Sequence, residues 1–212
     1  MIKFAIFDVG QVCYPYSLSP LNDYFRNMVK DVACFDKKGG VKSFDYNPYM
    51  KGEVDFSTFC KDLCEHCQVR YIRGFERFID KAMHDGVGEF FEETLSVMNG
   101  LRSRGVEVCL LSNALPNLAD TAGCLVDRDR AFVSYEMGLL KPDKKIYENV
   151  LAQLGAEAKE VLFVDDKPKN VEAAKSVGMK AIVYNRKTIK NEIDRICNNR
   201  LPIECVNVKK CR

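Results

Sequence analysis

The chain opens on a short apolar run that ends in a carboxylate. Residues 2–7 are almost entirely apolar, and Asp8, Val9 and Gly10 follow them directly. Such a run is typical of a strand that is buried on both faces of a parallel α/β sheet. Ligands of open α/β sheets bind beyond the carboxyl ends of the strands. Asp8 is therefore a candidate site residue, although a carboxylate here also suits the capping of the next turn.

The pattern then changes to the helical period. Apolar positions recur every three or four residues in stretches that begin near Ser19, Asp55 and Val69. Ser19 precedes a proline and Asp55 precedes an apolar residue, and both arrangements are typical of helix starts. We predict an all-helical insertion after the first strand, residues 14–84, which divides a core made of residues 1–13 and 85–212. The predicted helices of the insertion are 19–32, 56–67 and 69–84, with an irregular segment at 35–51.

After the insertion, strand-like and helical stretches alternate. This alternation is typical of an α/β fold with a doubly wound parallel sheet. Residues 198–212 follow neither period and receive no assignment. The predicted strands are 107–111, 131–134, 161–164 and 180–184, and the predicted helices are 89–104, 115–123, 142–154, 168–177 and 187–197.

Polar residues follow several of these strands. Asp8 follows the first strand, Ser112-Asn113 the second and Asp165-Asp166 the fourth, and Lys141 lies in the loop GLLKPD. Because these positions converge at one edge of a parallel sheet, their carboxylates would repel one another unless a cation joined them. Oxygen ligands suit Mg²⁺, which often pairs with substrate phosphate, and a carboxylate can act as a nucleophile. Taken singly, each group also fits a helix cap or a solvated loop charge.

Four motifs around these residues resemble those of the haloacid-dehalogenase-like superfamily, in its phosphatase branch with a small helical cap. They occur in the expected order and cover nearly all of the chain outside the insertion and the last residues. The motifs are FDVG at 7–10, LLSNA at 110–114, SYEMGLLKPDKKIY at 134–147 and VLFVDDKPKNVEAAKSVGMKAIVY at 161–184.

This resemblance implies a Rossmann-like core and a Mg²⁺-dependent phosphatase of a small phosphorylated metabolite. The reaction would pass through an aspartyl-phosphate on Asp8. The implied metal ligands are Asp8, the Gly10 carbonyl, Asp165 and Asp166, with Asn170 supporting the loop. The implied phosphate-binding groups are Ser112, the Asn113 backbone and Lys141, and the implied catalytic residues are Asp8, Ser112 and Lys141.

Position 10 departs from the family pattern Asp-x-Asp, in which the second Asp is the general acid and base. Gly10 still offers a carbonyl to a metal, but it offers no proton, and such a loss typically costs roughly 10²–10⁴-fold in rate. Relatives with Asp-x-Gly resemble sugar-1-phosphate phosphatases, whose leaving group needs little protonation. The alternative is a weak or silent relative that binds a phosphorylated ligand or a protein partner. Gln11 is a speculative aid to water, and metal-free dehalogenation conflicts with the pair Asp165-Asp166.

The composition of the 212 residues is that of an ordinary globular protein. The chain is 47% hydrophobic and 29% charged, and its net charge of +2 indicates neither a nucleic-acid nor a membrane partner. We find no apolar run of the roughly 20 residues that span a bilayer and no signal peptide, so we expect a cytoplasmic protein. Its ten cysteines are then expected to be reduced thiols.

Two features of the insertion have competing interpretations. Cys60, Cys64 and Cys67 have the spacing of the iron–sulfur triad of radical-SAM enzymes, but they share one face of a predicted helix with aromatic residues. Because cysteine packs as a small apolar residue, we expect these thiols to lie in the interior of the cap and to carry no metal. The aromatic residues Tyr14, Tyr16, Tyr46 and Tyr49 are expected either to line a substrate pocket or to pack in the cap.

Overall fold

A computed structural model describes residues 1–197 of the chain. The unassigned residues 198–212 lie outside this part. Its five strands agree with the predicted ones to within one or two residues at each end. They are β1 (Phe4–Phe7), β2 (Glu107–Ser112), β3 (Ala131–Val133), β4 (Val161–Asp165) and β5 (Lys180–Val183).

The strands form one parallel sheet in the order β3-β2-β1-β4-β5, which confirms the predicted doubly wound α/β class. β1 lies at its centre, where Phe7 pairs with Leu110 on one side and Val164 on the other. Beyond this register, β2 continues for two residues to Ser112 and β4 for one residue to Asp165. As a result, Asp8 comes to lie between the ends of β2 and β4.

Residues 1–197 contain ten α-helices, and six of them lie between β1 and β2. Side chains alternate along β1, so Ala5 and Phe7 pack with one set of helices and Ile6 packs with the other. The helices are α1 (Ser19–Arg26), α2 (Val32–Lys37), α3 (Asn47–Met50), α4 (Phe56–His66), α5 (Phe75–His84), α6 (Glu92–Arg102), α7 (Ser134–Met137), α8 (Lys144–Leu154), α9 (Pro168–Ser176) and α10 (Ile189–Cys197).

Several predicted helix boundaries are wrong for local reasons. The helix predicted at 19–32 ends at Arg26, the last residue of α1. A second helix, α2, begins at Val32, where the Asp31 side chain accepts a hydrogen bond from the Cys34 N–H. The third predicted helix begins at Phe75 rather than near residue 69, after Gly74 in a left-handed conformation with φ of 97°. The predicted helix at 115–123 is a 3₁₀ segment, Pro116–Ala122. The predicted irregular segment includes α3 and a 3₁₀ turn at Gly40–Ser43.

The helices α1–α5 share an apolar interior, which we call the cap cluster. It also contains Leu115 and Leu118, which follow β2. The predicted division at residues 14–84 therefore remains a proposal, since the interior of the cap draws on residues outside those limits. The cap cluster consists of Leu21, Phe25, Phe35, Val41, Tyr49, Phe59, Cys60, Leu63, Cys64, Cys67, Val69, Ile79, Ala82, Met83, Leu115 and Leu118.

Two simpler properties concern the described residues 1–197 taken together. Within residues 1–197, no helix combines the length and apolar character needed to cross a membrane. Seven cysteines are free thiols, namely Cys13, Cys34, Cys60, Cys64, Cys67, Cys109 and Cys197. Cys124 is disulfide-bonded, so the expectation of reduced thiols is wrong at that position.

Candidate active site

Lys141 joins Asp8 and Asp165 through two buried salt bridges, which we call the strand-end bridge. The Lys141 ammonium donates to Asp8 Oδ1 at 2.7 Å, to Asp165 Oδ2 at 2.8 Å and to the Leu111 carbonyl at 2.8 Å. Only 1% of the Lys141 side chain is exposed, against 9% for Asp8 and none for Asp165. Lys141 is thus not a solvated loop charge. Its three donors are directed at the strand ends, and a buried ammonium needs such partners to remain charged.

Asp165 has little capacity left for a metal. Besides the bond from Lys141, it accepts from the Lys167 N–H at 2.8 Å and from Asn170 Nδ2 at 2.9 Å to each oxygen. The bond from the Lys167 N–H belongs to the turn that leads into α9, whereas the helix itself has no side-chain cap, so the capping interpretation does not hold for Asp165-Asp166. Both oxygens of Asp165 are therefore occupied by donors of the protein itself.

Asp166 shows the opposite condition. Its Oδ1 is buried and has no hydrogen-bond partner, and neither has Asn170 Oδ1. Burial raises the pKa of Asp166, because it disfavours the charged form of the carboxyl group. Ligand oxygens of Asp8, Asp165 and Asp166 all lie within 4.8 Å of one another. These two buried oxygens without a donor lie beside the clustered carboxylates of the three aspartates, and such an arrangement fits a hard divalent cation and its waters.

Asn113 holds the segment that carries Lys141. Its Nδ2 donates to the Lys141 carbonyl at 3.0 Å, and its Oδ1 accepts from the Lys141 N–H at 2.9 Å. The side chain is therefore used to fix the lysine loop. The part of Asn113 still free to meet a phosphate is its backbone, which is where the resemblance places its role. Ser112 is the last residue of β2 and lines the same cavity as Asp8.

Position 10 has room for a side chain. Gly10 does not have a left-handed backbone, and a Cβ built on it would meet nothing nearer than the Tyr16 Cβ at 3.9 Å. Gln11, the speculative aid to water, is otherwise engaged, because its Nε2 donates to the Tyr16 carbonyl at 2.6 Å. The missing acid at position 10 is thus not replaced by Gln11 in this arrangement.

Opposing effects set the pKa values of Asp8 and Lys141 in the strand-end bridge. Burial is the largest influence on Asp8 and raises its pKa to about 6, while Lys141 lowers it and Asp165 raises it further. Burial also acts to lower the pKa of Lys141, but the two carboxylates outweigh it and the pKa is raised. The lysine therefore stays charged at neutral pH, and Asp8 is mainly ionised above about pH 6.

A cavity of about 420 Å³ opens from Asp8 towards the cap. Its polar end is formed by Asp8, Ser112, Asn113, Lys141 and Asn170, so the structure brings five of the sequence-predicted residues together there. The Gly10 backbone lies on the same wall. Asp165 adjoins this end through its salt bridge with Lys141, and Asp166 through the close approach of its carboxylate to those of Asp8 and Asp165.

Comparison with known proteins agrees with this geometry. The sequence profile of haloacid dehalogenase-like hydrolases matches residues 20–178. The chain belongs to this family. It is 38% identical over 183 residues to the sesquiterpene phosphatase astK of Aspergillus oryzae, which covers 84% of this chain and 87% of that protein. It is 23% identical over 174 residues to the bifunctional epoxide hydrolase 2 of Rattus norvegicus, of which it spans 30%.

A solved structure shares the fold of this hydrolase. A haloacid dehalogenase family enzyme of Bacteroides thetaiotaomicron, in complex with magnesium and inorganic phosphate, superposes with a TM-score of 0.70 at 20% identity. The match covers 88% of this chain and 96% of that one. At this level of identity, the likeness supports the fold and no residue role.

The four tyrosines of the predicted pocket do not behave alike. Tyr14, Tyr16 and Tyr46 line the cavity of the hydrolase. Tyr49 does not; it is buried in the cap cluster, where its ring stacks on Phe59 with centroids 4.4 Å apart. Of the two alternatives, the pocket role therefore applies to Tyr14, Tyr16 and Tyr46, and cap packing applies to Tyr49.

Other cavity residues were missed by sequence reasoning. Met50 in α3, Leu118 in the 3₁₀ segment and Phe132 in β3 all face the cavity, as does Lys167 at the start of α9. Apolar residues at these spacings are indistinguishable from ordinary core positions, so no local pattern could have separated them. Lys167 directly follows Asp165-Asp166, and that adjacency was the one available signal.

The cap cysteines of the hydrolase pack as expected. Cys60, Cys64 and Cys67 are all buried in the cap cluster. Burial raises the pKa of these thiols to about 12, 11 and 12 respectively, so they remain protonated at neutral pH. Metal binding requires thiolates. In residues 1–197, the aspartates are the one group of three or more such side chains close enough to share a metal, whereas the prediction that the thiols carry none stays a prediction.

Proposed function

We propose that this chain is a Mg²⁺-dependent phosphatase that forms an aspartyl-phosphate on Asp8. The observation that carries the proposal is the Lys141 ammonium fixed between Asp8 and Asp165. It keeps a positive charge beside the nucleophile, where the negative charge of a phosphoryl group would collect. Ser112 and the Asn113 backbone lie at the same end of the cavity and supply further donors.

In the proposed reaction, an Asp8 oxygen attacks the phosphorus and the ester oxygen leaves with the bonding electrons. Ser112 and the Asn113 N–H hold the equatorial oxygens during the transfer, while the Lys141 charge beside Asp8 offsets the charge of the phosphoryl group, and water later cleaves the aspartyl-phosphate. Asp8, the Gly10 carbonyl and Asp166 would hold the Mg²⁺, which when bound offsets the charge of the carboxylates and the phosphate. Asp165 positions Lys141 and, since its oxygens are already engaged, is not assigned as a direct ligand.

Gly10 bears on the substrate. Without a carboxylic acid at this position, a leaving group that departs with little protonation is favoured, and a sugar 1-phosphate is one candidate of that kind. The relative named as a sesquiterpene phosphatase points instead to the ester of an apolar alcohol. The lining of the cavity separates the two candidates, as argued below.

A phosphoenzyme assay tests the proposal directly. With Mg²⁺ and phenyl phosphate, rapid quenching and mass spectrometry should find Asp8 carrying one phosphoryl group, and Asp8→Asn should lose both the adduct and turnover. Asp166→Ala should abolish metal-dependent turnover without unfolding the protein. Exposed Asp85→Ala, in the cap, serves as the matched control. Turnover that persists in EDTA, or in Asp8→Asn, would contradict the mechanism.

A second candidate function is a silent relative that binds a phosphorylated ligand or a partner without turning it over. One observation favours it: within residues 1–197, Asp8 is the single carboxylate on the cavity wall, so no nearby acid replaces the missing one. Tight binding of inorganic phosphate with no turnover of any ester, in wild type and in Gly10→Asp, would support this candidate over the first.

A further inference from the structure

Beyond its phosphate-binding end, the cavity wall is mostly apolar, with Gln11 and Lys167 as the further residues of the lining that carry an amide or a charge. Six of the larger side chains in this part, from the cap and the core, carry no nitrogen or oxygen atom. Within residues 1–197, no histidine or arginine faces the cavity, and Asp8 at the phosphate end is the one carboxylate. These six side chains, which we call the apolar wall, are Leu18, Met50, Leu115, Leu118, Phe132 and Val133.

The hydroxyls that do border this region are already engaged or covered. The Tyr14 hydroxyl pairs with Thr121 Oγ1, and the Tyr46 hydroxyl donates to the Val41 carbonyl at 2.9 Å. The Tyr16 hydroxyl has no partner but is buried away from any space open to water, so a ligand in the cavity does not reach it. The tyrosines therefore present mainly ring surface to the cavity.

A sugar would bind weakly against such an apolar wall. Each sugar hydroxyl loses its hydrogen bonds to water on entry, and an unpaired buried hydroxyl is unfavourable, whereas each buried methylene is favourable. The volume of about 420 Å³ corresponds to about fourteen water-sized volumes, by the ~30 Å³ that one water takes in the liquid. The phosphate headgroup takes about four or five of these volumes, so the remaining space suits an apolar group of on the order of ten non-hydrogen atoms.

We propose that the cavity selects phosphate monoesters of apolar alcohols of this size over those of sugars. The proposal rests on the proposed function for the chemistry at Asp8, but it concerns binding, which can be measured without turnover. The phosphate end would hold the headgroup and the apolar wall would enclose the hydrocarbon. Among the apolar wall residues, Met50 and Leu18 are half-buried and serve as the sites for testing.

Titration calorimetry with n-alkylphosphonates in the presence of Mg²⁺ tests this inference. These probes cannot be hydrolysed, and they share one headgroup, so chain length is the single variable. Below micelle-forming concentrations, Kd should fall roughly threefold per methylene, as expected for burial of most of its surface, and should level off near about ten carbons. The phosphonate isostere of glucose 1-phosphate should bind more weakly than hexylphosphonate. A flat chain-length series, or tighter binding of the sugar isostere, would overturn the inference.

Matched variants place the effect in the cavity. Met50→Gln should flatten the chain-length series, because it puts an amide of similar length on the apolar wall. Met28→Gln, a partly exposed methionine that does not line the cavity, should leave the series as in wild type. Leu18→Gln is the second variant if Met50→Gln does not fold. An unchanged series in both wall variants would overturn the inference, whereas normal alkyl selectivity without turnover of phenyl phosphate would overturn only the proposed chemistry.

Discussion

Three aspartates at the strand ends and three cysteines in the cap are the two groups of metal-binding side chains that the sequence presents most plainly. They meet opposite environments. The oxygens of Asp8, Asp165 and Asp166 converge, and Lys141 lies between two of these residues. Cys60, Cys64 and Cys67 are surrounded by apolar side chains, and burial raises the pKa of each thiol.

The difference shows what gives a motif its meaning. The cysteines are neighbours along one helix, and their spacing of four and three residues also satisfies ordinary helix packing. The aspartates come from two strands that are far apart in the chain, and only the parallel sheet brings them to one edge. Convergence from distant segments is harder to explain by packing alone, and an unpartnered oxygen on Asp166 is an independent observation that fits a cation-binding site.

Removal of the lysine should have the largest effect on stability. Lys141→Met leaves two buried carboxylates facing each other, and breaking a buried ion pair typically costs about 3–5 kcal/mol. Urea denaturation at pH 8 without Mg²⁺ should show this loss. Exposed Lys81→Met, which breaks a surface pair with Asp85, should cost under about 1 kcal/mol. Similar losses in the two variants would mean that the strand-end bridge is no stronger than a surface pair.

Addition of a fourth carboxylate should sharpen the chemistry at the same site. Gly10→Asp is sterically allowed, since the nearest atom to its Cβ is 3.9 Å away. We expect a rise in kcat/KM of roughly ten- to a hundredfold on alkyl phosphates, part of what a positioned acid supplies, and less on aryl phosphates. Gly10→Asn is the control for the added bulk. Equal gains on both classes of ester, or a gain from Asn as well, would count against a proton-transfer role.

Substitution of the cap cysteines Cys60, Cys64 and Cys67 should have the effect expected of core residues and not of metal ligands. Cys64→Ser buries a hydroxyl among apolar side chains and should cost about 1–3 kcal/mol in the free energy of unfolding. Cys34→Ser, at a half-buried position in α2, should cost under about 0.5 kcal/mol. Elemental analysis should find no zinc or iron near stoichiometry in either protein. One metal per chain that disappears in Cys64→Ser would reverse the comparison.

Mg²⁺ should stabilise the fold modestly and in a pH-dependent way. Because the pKa of Asp8 is raised to about 6, the folded state holds this proton more tightly than the unfolded state. The contribution of Asp8 to stability is therefore fully present below about pH 4 and is lost as pH rises through 6. Mg²⁺ competes with the same proton, so the rise in Tm that it causes should be small at pH 5 and complete above pH 7. At a tenfold excess over Kd, Mg²⁺ should add about 1.4 kcal/mol to the free energy of unfolding. An equal Tm shift at both pH values, or an unreduced shift in Asp8→Asn, would contradict this.

The sequence was most informative where burial and chain direction act together. The five strands, their parallel class and the gathering of Asp8, Ser112-Asn113 and Lys141 all follow from apolar runs that end in polar residues. Helix limits were less accurate, because the break after α1 depends on one side-chain bond from Asp31 and the start of α5 on Gly74. Neither is distinctive in sequence.

The finer division of labour in the site could not be predicted. Asp165 and Asp166 are adjacent and chemically identical, yet one accepts bonds from Lys141, Lys167 and Asn170 while the other keeps a bare oxygen. Alternation along the end of β4 turns the two side chains to different surroundings. Which of them meets the lysine depends on the position of a loop about twenty-five residues away in the chain.

The loop after β2 imposes a condition on any attempt to exchange caps between relatives. Leu115 and Leu118 fill part of the cap cluster, and Asn117 Nδ2 donates to Asp80 of α5 at 2.8 Å. A graft cut at residues 14–84 would set a foreign helical unit on two leucines shaped for the original one. A chimera that carries 115–118 together with the helices keeps both halves of that contact, so the transferable unit consists of two separate segments of the chain.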